Sequence, residues 1–292
     1  MKLRFPLDDV KVEQSLVRKE VSSPLYQDGF YSVSQNEFSM DVSGVAWFYV
    51  SGGNYISIIP YPGANRTTVE LYLNGSAYGA VLHQRKIMPL HGSCFRYKGR
   101  GVMICGDTGA GKSSLTAAFC LDGAEFLTDD VTPLLFKNRR SYIWALSDRI
   151  KLWKDTLKQL EREEEGLHHI GPVREKFYFP MESKTGGILR LKQIYIIGVR
   201  NIKGVEFEEL SGSSKFTALR NEIYRYEYLQ GMPENEPVYF RNLLDICNSV
   251  KIFRVLRPED IRIIDLMKLM ENHISDKQHT TVLKRKNSLT TE

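Results

Sequence analysis

The sequence predicts an α/β fold, and three patterns along the chain lead to this prediction. Short runs of alternating apolar and polar residues, typical of β-strands, dominate residues 1–86. Residues 101–130 have the pattern of a strand, a glycine-rich loop, a helix and a second strand. Further along, apolar strands alternate with amphipathic helical stretches. We therefore predict a smaller β-rich domain at 1–86, a larger α/β domain at 87–274 and a disordered basic tail at 275–292.

The N-terminal region is predicted to be a small sheet that serves as an accessory domain for substrate or partner recognition. Its strands are predicted at Phe30–Val33, Val45–Val50, Tyr55–Ile59 and Val69–Leu73, with a hairpin turn at Gly52–Asn54 and a short helix at Ala77–Arg85. It contains no acid–base pair and no metal-ligand spacing, so its aromatic residues are interpreted as core.

The glycine-rich loop carries the strongest functional signal. A strand at Val102–Cys105 leads into it, and a helix with Leu115 and Phe119 on one face follows it. The loop matches the Walker A pattern G-x-x-x-x-G-K-[ST] in the strand–helix context that this motif requires. Its residues are Gly106, Asp107, Thr108, Gly109, Ala110, Gly111, Lys112 and Ser113. A chance glycine-rich turn is the alternative, and the complete match in its context argues against it.

These residue types suit the binding of a nucleoside triphosphate with Mg²⁺. Glycines let backbone N–H groups approach phosphate oxygens, and the helix N-terminus adds its positive end. Lys112 supplies a positive charge for the β- and γ-phosphates, and the hydroxyl of Ser113 is a ligand for Mg²⁺. Ser114, the next residue, is included among the nucleotide-binding residues.

Two adjacent aspartates follow the second strand of this unit. Asp129 and Asp130 end the predicted strand that begins with the apolar run Ala124–Leu127, and they are predicted at the carboxyl edge of the sheet, where ligands of open α/β sheets bind. A role in Mg²⁺ binding or catalysis is the prediction, and a solvated loop is the alternative. His91 lies on a predicted strand, 88–97, that runs antiparallel to the loop strand, so it can face the same site. A structural histidine is the alternative there.

The remainder of the chain is predicted to continue as strands and helices. Helices are predicted at Asp148–Glu165, Lys215–Leu229 and Arg241–Val250, strands at Leu189–Val199 and Lys251–Leu256, and a last helix that starts at Pro258. Arg174 and Lys176 are candidates for further phosphate contacts, with surface charge as the alternative. His168 and His169 lack a third ligand at a suitable spacing, so a metal site is not predicted there.

The composition excludes several classes of function. The net charge is +5, part of it in the tail, which is too small to argue for nucleic acid. No apolar run is long enough to cross a membrane, and the start of the chain lacks an apolar signal core. The four cysteines are scattered and are predicted to be reduced. We expect a cytoplasmic protein that binds neither nucleic acid nor membrane.

The spacing of three motifs resembles a known family. His91-Gly92, the loop Gly106–Ser113 and the pair Asp129-Asp130 resemble the C-terminal domain of HPr kinase/phosphorylase and its shorter relatives. This block covers residues 87–136. Weaker similarity at Leu189–Ile197 and Val250–Asp260 extends the resemblance over most of residues 87–273, while the N-terminal region is matched only loosely.

The resemblance implies a P-loop kinase of the phosphoenolpyruvate-carboxykinase-like type, which transfers the γ-phosphoryl group of ATP to a serine hydroxyl. By this resemblance, one aspartate is the catalytic base and the other holds Mg²⁺ with Ser113; we favour Asp130 as base and Asp129 as metal ligand. His91 would lie near the transferred phosphate. The downstream Glu-x-Arg-Gly-x-Gly signature of the bifunctional enzymes is absent from the sequence, so neither phosphorolysis nor HPr as the substrate is implied.

The acceptor stays open between a protein or peptide and a small molecule. Some short relatives phosphorylate peptides, including lasso-peptide precursors, and a protein or peptide serine is the favoured acceptor. A small-molecule hydroxyl such as that of free serine is the first alternative, and a nucleotide-binding sensor without transfer activity is the second. An open groove beside the phosphate site would favour a peptide. Because HPr kinases are hexamers, a homo-oligomer is also left open.

Overall fold

The computed structural model describes residues 3–170, 175–183 and 186–275, and within them the chain is a mixed α/β protein with three sheets. The strands are β1 Lys11–Gln14, β2 Tyr26–Gln27, β3 Tyr31–Val33, β4 Glu37–Val42, β5 Ala46–Ser51, β6 Tyr55–Pro60, β7 Met88–Tyr97, β8 Arg100–Gly106, β9 Glu125–Thr128, β10 Val131–Lys137, β11 Arg140–Trp144, β12 Arg149–Trp153, β13 His168–His169, β14 Lys176–Pro180, β15 Ile188–Val199, β16 Glu206–Glu209 and β17 Lys251–Arg257. The α-helices are α1 Arg66–Tyr72, α2 Tyr78–Gln84, α3 Lys112–Leu121, α4 Lys154–Gln159, α5 Gly212–Asn221, α6 Glu236–Ser249 and α7 Ile263–Ser275. No helix in these ranges is both long and apolar enough to span a bilayer.

The N-terminal sheet has the order β1-β6-β5-β4-β3-β2, and α1 and α2 cover one face of it. The predicted strands at 30–33, 45–50 and 55–59 and the helix at 77–85 are confirmed, as is the hairpin turn between β5 and β6. The predicted strand Val69–Leu73 is wrong, because this stretch belongs to α1 and the π-helical turn that follows it. Asn65 caps α1 by accepting from two backbone N–H groups, and Val69 and Leu73 lie four residues apart on its buried face.

The central sheet has the order β11-β10-β7-β8-β15-β17-β16, with β9 paired to β7. β15 runs parallel to both β8 and β17, whereas β7 is antiparallel to β8 and to β9. The carboxyl ends of β8, β9, β15 and β17 therefore lie at one edge of the sheet. The predicted strands at 88–97, 102–105, 189–199 and 251–256 are confirmed.

Both faces of the central sheet are covered, which explains the unbroken apolar run in β8. Val102 and Ile104 face the side that α3 and α7 cover, whereas Met103 and Cys105 face the side that α5 and α6 cover. Side chains alternate between the two faces of a strand, so a strand that is buried on both sides is apolar at every position. Phe119 of α3 adds a stacked pair of rings with the β7 residue Phe95, at 4.6 Å between centroids.

The predicted helix at Asp148–Glu165 is wrong over most of its length. Its first part is β12, which pairs with β14, and only Lys154–Gln159 is helical. Ile150 and Leu152 are two residues apart and both buried, as in a strand, while Leu157 and Leu160 suit a helix. The spacing of these apolar residues fits both a strand and a helix, and the pairing with β14 determines that residues 149–153 form a strand.

Two further helix boundaries differ from the predictions. α5 ends at Asn221, after which Arg225 adopts a left-handed conformation with φ of 53° and a 3₁₀ turn follows at Tyr226–Gly231. The last helix begins at Ile263 rather than at Pro258. The helix predicted at 241–250 is confirmed as part of α6. α7 includes Ser275, the first residue of the predicted tail, and residues 276–292 lie outside the described part of the chain.

The N-terminal layer shares an apolar cluster with the rest of the chain. Val131, Tyr228 and Met232 pack with buried residues of the N-terminal sheet. A Cβ atom at Gly231 would lie only 2.6 Å from the carbonyl oxygen of Val33, so the two segments are in close contact. The domain boundary at residue 86 stays a prediction.

His83 of α2 connects the N-terminal layer to the segment that follows α5. Its Nε2 lies 2.8 Å from the carbonyl oxygen of Tyr224 and donates to it, while its Nδ1 lies 3.0 Å from the hydroxyl of Tyr239. The imidazole is fully buried, and burial lowers the pKa of His83 from its ordinary 6.5 to about 4. The native protein therefore holds this ring neutral at a pH where the unfolded chain protonates it.

We expect the free energy of unfolding to fall as the pH is lowered from 6.5 to 4. In that window the unfolded state binds the proton and the native state does not, so His83 contributes a slope of about 1.4 kcal/mol per pH unit. Urea unfolding at several pH values should show a smaller slope for His83→Gln than for the wild type. His91 contributes in the same direction, so some slope remains in the variant. If His83→Gln has the same slope as the wild type, His83 is not held neutral by burial in the native protein.

Candidate active site

The glycine-rich loop joins β8 to α3 at the carboxyl edge of the central sheet. Gly106, Gly109 and Gly111 have positive φ angles of 127°, 85° and 101°. A Cβ atom on Gly106 would lie 2.2 Å from the carbonyl oxygen of Ile197, so this position accepts only glycine. The loop therefore folds back over the N-terminus of α3, as a Walker A sequence requires.

The N-terminus of α3 and the ammonium of Lys112 form a positively charged site. No side chain caps α3, whose N-cap residue is Gly111, so its first backbone N–H groups are available to an anion. The Lys112 Nζ donates to the carbonyl oxygens of Gly106 and Asp107 at 2.7 and 3.1 Å, and the residue is 8% exposed. Two carbonyl oxygens of the loop thus hold the ammonium of Lys112 in place.

Ser113 and Asp129 lie in contact across the site. The Ser113 hydroxyl donates to Asp129 Oδ1 at 2.7 Å, and the backbone N–H of Lys151 donates to Oδ2 at 3.1 Å. Burial and the neighbouring charge of Asp130 raise the pKa of Asp129. Within the described ranges, no three His, Cys, Asp or Glu side chains cluster as a metal site. The Ser113 hydroxyl and the Asp129 carboxylate would be the protein ligands of a metal here, which suits Mg²⁺ with phosphate and water oxygens.

Asp130 has a different environment from Asp129. Its φ of 72° turns the chain between β9 and β10, and its carbonyl oxygen accepts from Gly92 N–H at 3.2 Å. Its Oδ2 lies 2.7 Å from Lys151 Nζ and its Oδ1 lies 3.5 Å from His91 Nε2. Although burial acts to raise it, the ammonium of Lys151 holds the pKa of Asp130 below its usual range.

His91 lies on β7, with its ring close to Asp130. Its backbone N–H donates to the carbonyl oxygen of Glu222 at 2.7 Å, and its ring lies edge-on to Tyr224 at 5.8 Å. Burial, followed by the charge of Lys112, lowers the pKa of His91 to about 4. The imidazole is therefore neutral near pH 7 and can donate or accept one hydrogen bond without adding charge.

An open cleft of about 860 Å³ contains the loop, His91 and Asp130. Its lining also includes residues from β12, α4 and the start of α7, and residues from α1 and the segment after α5, among them Trp153, Thr156, Gln159, Ile263, Thr68, Leu71, Tyr72, Tyr224, Arg225 and Glu227. Lys176 lines the cleft beside Trp153, whereas Arg174 lies outside the described residues. The Ser114 hydroxyl forms a hydrogen bond with Thr156 at 2.8 Å. The cleft thus joins the loop to α1 of the N-terminal layer.

Comparison with known proteins adds one distant structural relation. The chain matches no family model and no curated protein. Among solved structures it is similar to the Hpr(Ser) kinase/phosphatase from Coxiella burnetii, with a TM-score of 0.34 and 13% identity over 64% of this chain and 95% of that one. A similarity at this level carries no argument about the activity of this chain.

The structure adds three charged residues that sequence reasoning missed. Lys151 contacts both aspartates, Glu222 Oε2 accepts from Gly106 N–H at 3.1 Å, and Arg257 Nε donates to the carbonyl oxygen of Ala110 at 3.0 Å. Arg257 directly follows the strand predicted at 251–256, so the rule that ligands bind at the carboxyl edge could have found it. Lys151 and Glu222 had no such signal, because both fell inside predicted helices, at 148–165 and 215–229. In the structure Lys151 lies on β12 and Glu222 directly follows α5.

Proposed function

We propose that the chain is an ATP- and Mg²⁺-dependent kinase that transfers the γ-phosphoryl group to a serine hydroxyl of a protein or peptide. The observation that supports this most directly is the hydrogen bond between Ser113 and Asp129. It brings the hydroxyl of the Walker A motif onto a carboxylate that lies 16 residues further along the chain, with Lys112 and Asp130 lining the same cleft. A loop that served only as a turn would not require this arrangement.

The residues present fit a bound triphosphate and its magnesium ion. The uncapped N-terminus of α3 and the ammonium of Lys112 suit phosphate oxygens, and Arg257 lies beside the loop at Ala110. Ser113 and Asp129 would hold Mg²⁺, whose positive charge favours the ionised form of Asp129 despite its burial. When bound, ATP and Mg²⁺ supply the phosphoryl group and neutralise its charge.

The two aspartates would have separate roles in the transfer. Asp130 takes the proton of the acceptor hydroxyl while the hydroxyl oxygen bonds to the γ-phosphorus and the bond to the β–γ bridging oxygen breaks. Lys112 and the N–H groups of α3 stabilise the negative charge that develops on the leaving diphosphate. His91, neutral and close to Asp130, helps to hold that carboxylate in place. Positioning and charge neutralisation thus come from residues that the structure brings together.

A protein or peptide is the acceptor that the shape of the cleft supports. The cleft is open to solvent and extends from the loop to Thr68, Leu71 and Tyr72 of α1, so an extended segment can lie along it. The β-rich N-terminal region would then contribute to acceptor recognition through α1.

The proposal is tested by transfer from γ-labelled ATP in an extract of the host cell. The wild type is compared with Asp130→Asn, and the products are separated by size. We expect label in a protein or peptide band that the variant does not produce. Label found only among small molecules would instead indicate a metabolite kinase. Binding of ATP without any variant-sensitive label would indicate a nucleotide sensor.

A further inference from the structure

The carboxylate of Asp130 is already occupied in the free protein. Lys151 Nζ lies 2.7 Å from one oxygen and His91 Nε2 lies 3.5 Å from the other. A carboxylate that accepts from an ammonium at this distance is a weaker acceptor for a hydroxyl proton. The proposed base therefore needs a second event before it can act on an acceptor.

Lys151 is placed to contact both parts of the proposed reaction. Its backbone N–H donates to Asp129 Oδ2, and Asp129 in turn accepts from Ser113. Its side chain is 12% exposed and lines the cleft together with Lys112 and Ser113. The ammonium of Lys151 thus pairs with the proposed base in the same cleft that contains the loop residues proposed to hold the nucleotide.

We propose that Lys151 is a cation shared between Asp130 and the γ-phosphate. In the free protein it pairs with Asp130, and in the nucleotide complex it pairs with the γ-phosphate, which frees Asp130 for the acceptor hydroxyl. This inference rests on the proposed kinase function. Asp130 would then be free to accept the proton of the acceptor hydroxyl only when ATP is bound.

The chemistry of lysine suits such an exchange. Its ammonium is a compact charge on a flexible four-carbon stem with three donors, so it can change partners by rotating its side chain. The left-handed backbone of Asp130 and the contact with His91 remain when Lys151 moves, and both keep the carboxylate in position. If Lys151 only oriented Asp130, its loss would not distinguish nucleotides with and without a γ-phosphate.

The test compares the binding of Mg-ADP and of Mg²⁺ with a non-hydrolysable ATP analogue by calorimetry, which does not depend on turnover. We expect Lys151→Gln to weaken binding of the analogue by about 10- to 100-fold, as for the loss of a charged hydrogen bond, and to leave ADP binding nearly unchanged. The control is Lys154→Gln, which removes a partly exposed lysine that pairs with Glu164 and does not line the cleft, and which should change neither affinity.

A second pair of variants covers the case in which Lys151→Gln fails to fold. Asp130→Asn alone removes the competing carboxylate, so analogue binding should become tighter than in the wild type while ADP binding does not. The double variant Asp130→Asn with Lys151→Gln keeps a neutral pair and should lose that gain. If these variants change the binding of both nucleotides equally, or of neither, the proposed role of Lys151 is overturned and the proposed kinase function is not. If the wild type binds neither nucleotide, the proposed function fails, and the role of Lys151 fails with it.

Discussion

Replacing Asp130 with asparagine is expected to reduce phosphoryl transfer by about 10²- to 10⁴-fold, the usual contribution of a general base. The amide cannot take the hydroxyl proton, but it has nearly the same size and keeps a hydrogen-bond acceptor near Lys151. Binding of MgATP should stay within about tenfold of the wild type, since Ser113, Asp129 and Lys112 are unchanged. Transfer of γ-labelled phosphate and calorimetric binding, measured side by side, check both parts.

Two related variants show whether this effect belongs to Asp130. Asp122→Asn removes an exposed aspartate at the end of α3 and should leave transfer unchanged. Asp129→Asn should weaken the dependence of nucleotide binding on Mg²⁺, because it removes the carboxylate that accepts from Ser113. If Asp130→Asn stays active and Asp129→Asn loses transfer with binding intact, the two roles are reversed.

Replacing Lys112 with alanine is expected to weaken nucleotide binding and transfer together. Its ammonium is directed into the loop by the carbonyl oxygens of Gly106 and Asp107, where it would meet phosphate oxygens. Loss of such a charged hydrogen bond costs about 1.5–3 kcal/mol, or about 10- to 100-fold in affinity. The loss in transfer should be larger still, since charge on the leaving diphosphate grows during the reaction. Calorimetry and the transfer assay measure the two effects.

The control for this variant is Lys137→Ala at the exposed end of β10, which should change neither quantity. Thermal unfolding of Lys112→Ala should be compared with the wild type, because Lys112 also bonds the loop in the free protein. A folded Lys112→Ala protein that binds MgATP as well as the wild type would show that the glycine-rich loop is not the phosphate site.

Patterns in the sequence were enough to predict the local units of this protein. The loop, its strand and its helix could be predicted because a Walker A motif specifies backbone conformation residue by residue, as the positive φ angles of Gly106 and Gly111 show. The placement of His91 on a strand beside the loop strand followed from the hairpin that joins β7 to β8, and that of the two aspartates from the rule that ligands bind at the carboxyl edge of a sheet. The loop and the hairpin depend on interactions between residues close together along the chain.

The rest of the site depends on contacts between elements that are separate along the chain. Lys151 reaches Asp130 because β12 pairs with β14, a choice that the ambiguous apolar spacing of residues 148–165 could not make. Glu222 reaches the loop strand because the chain leaves α5 at Asn221 instead of continuing as a helix. The ion pair between Lys151 and Asp130 likewise joins side chains that are 21 residues apart. Such contacts arise from the packing of separate elements, and local propensity and periodicity do not encode which elements will meet.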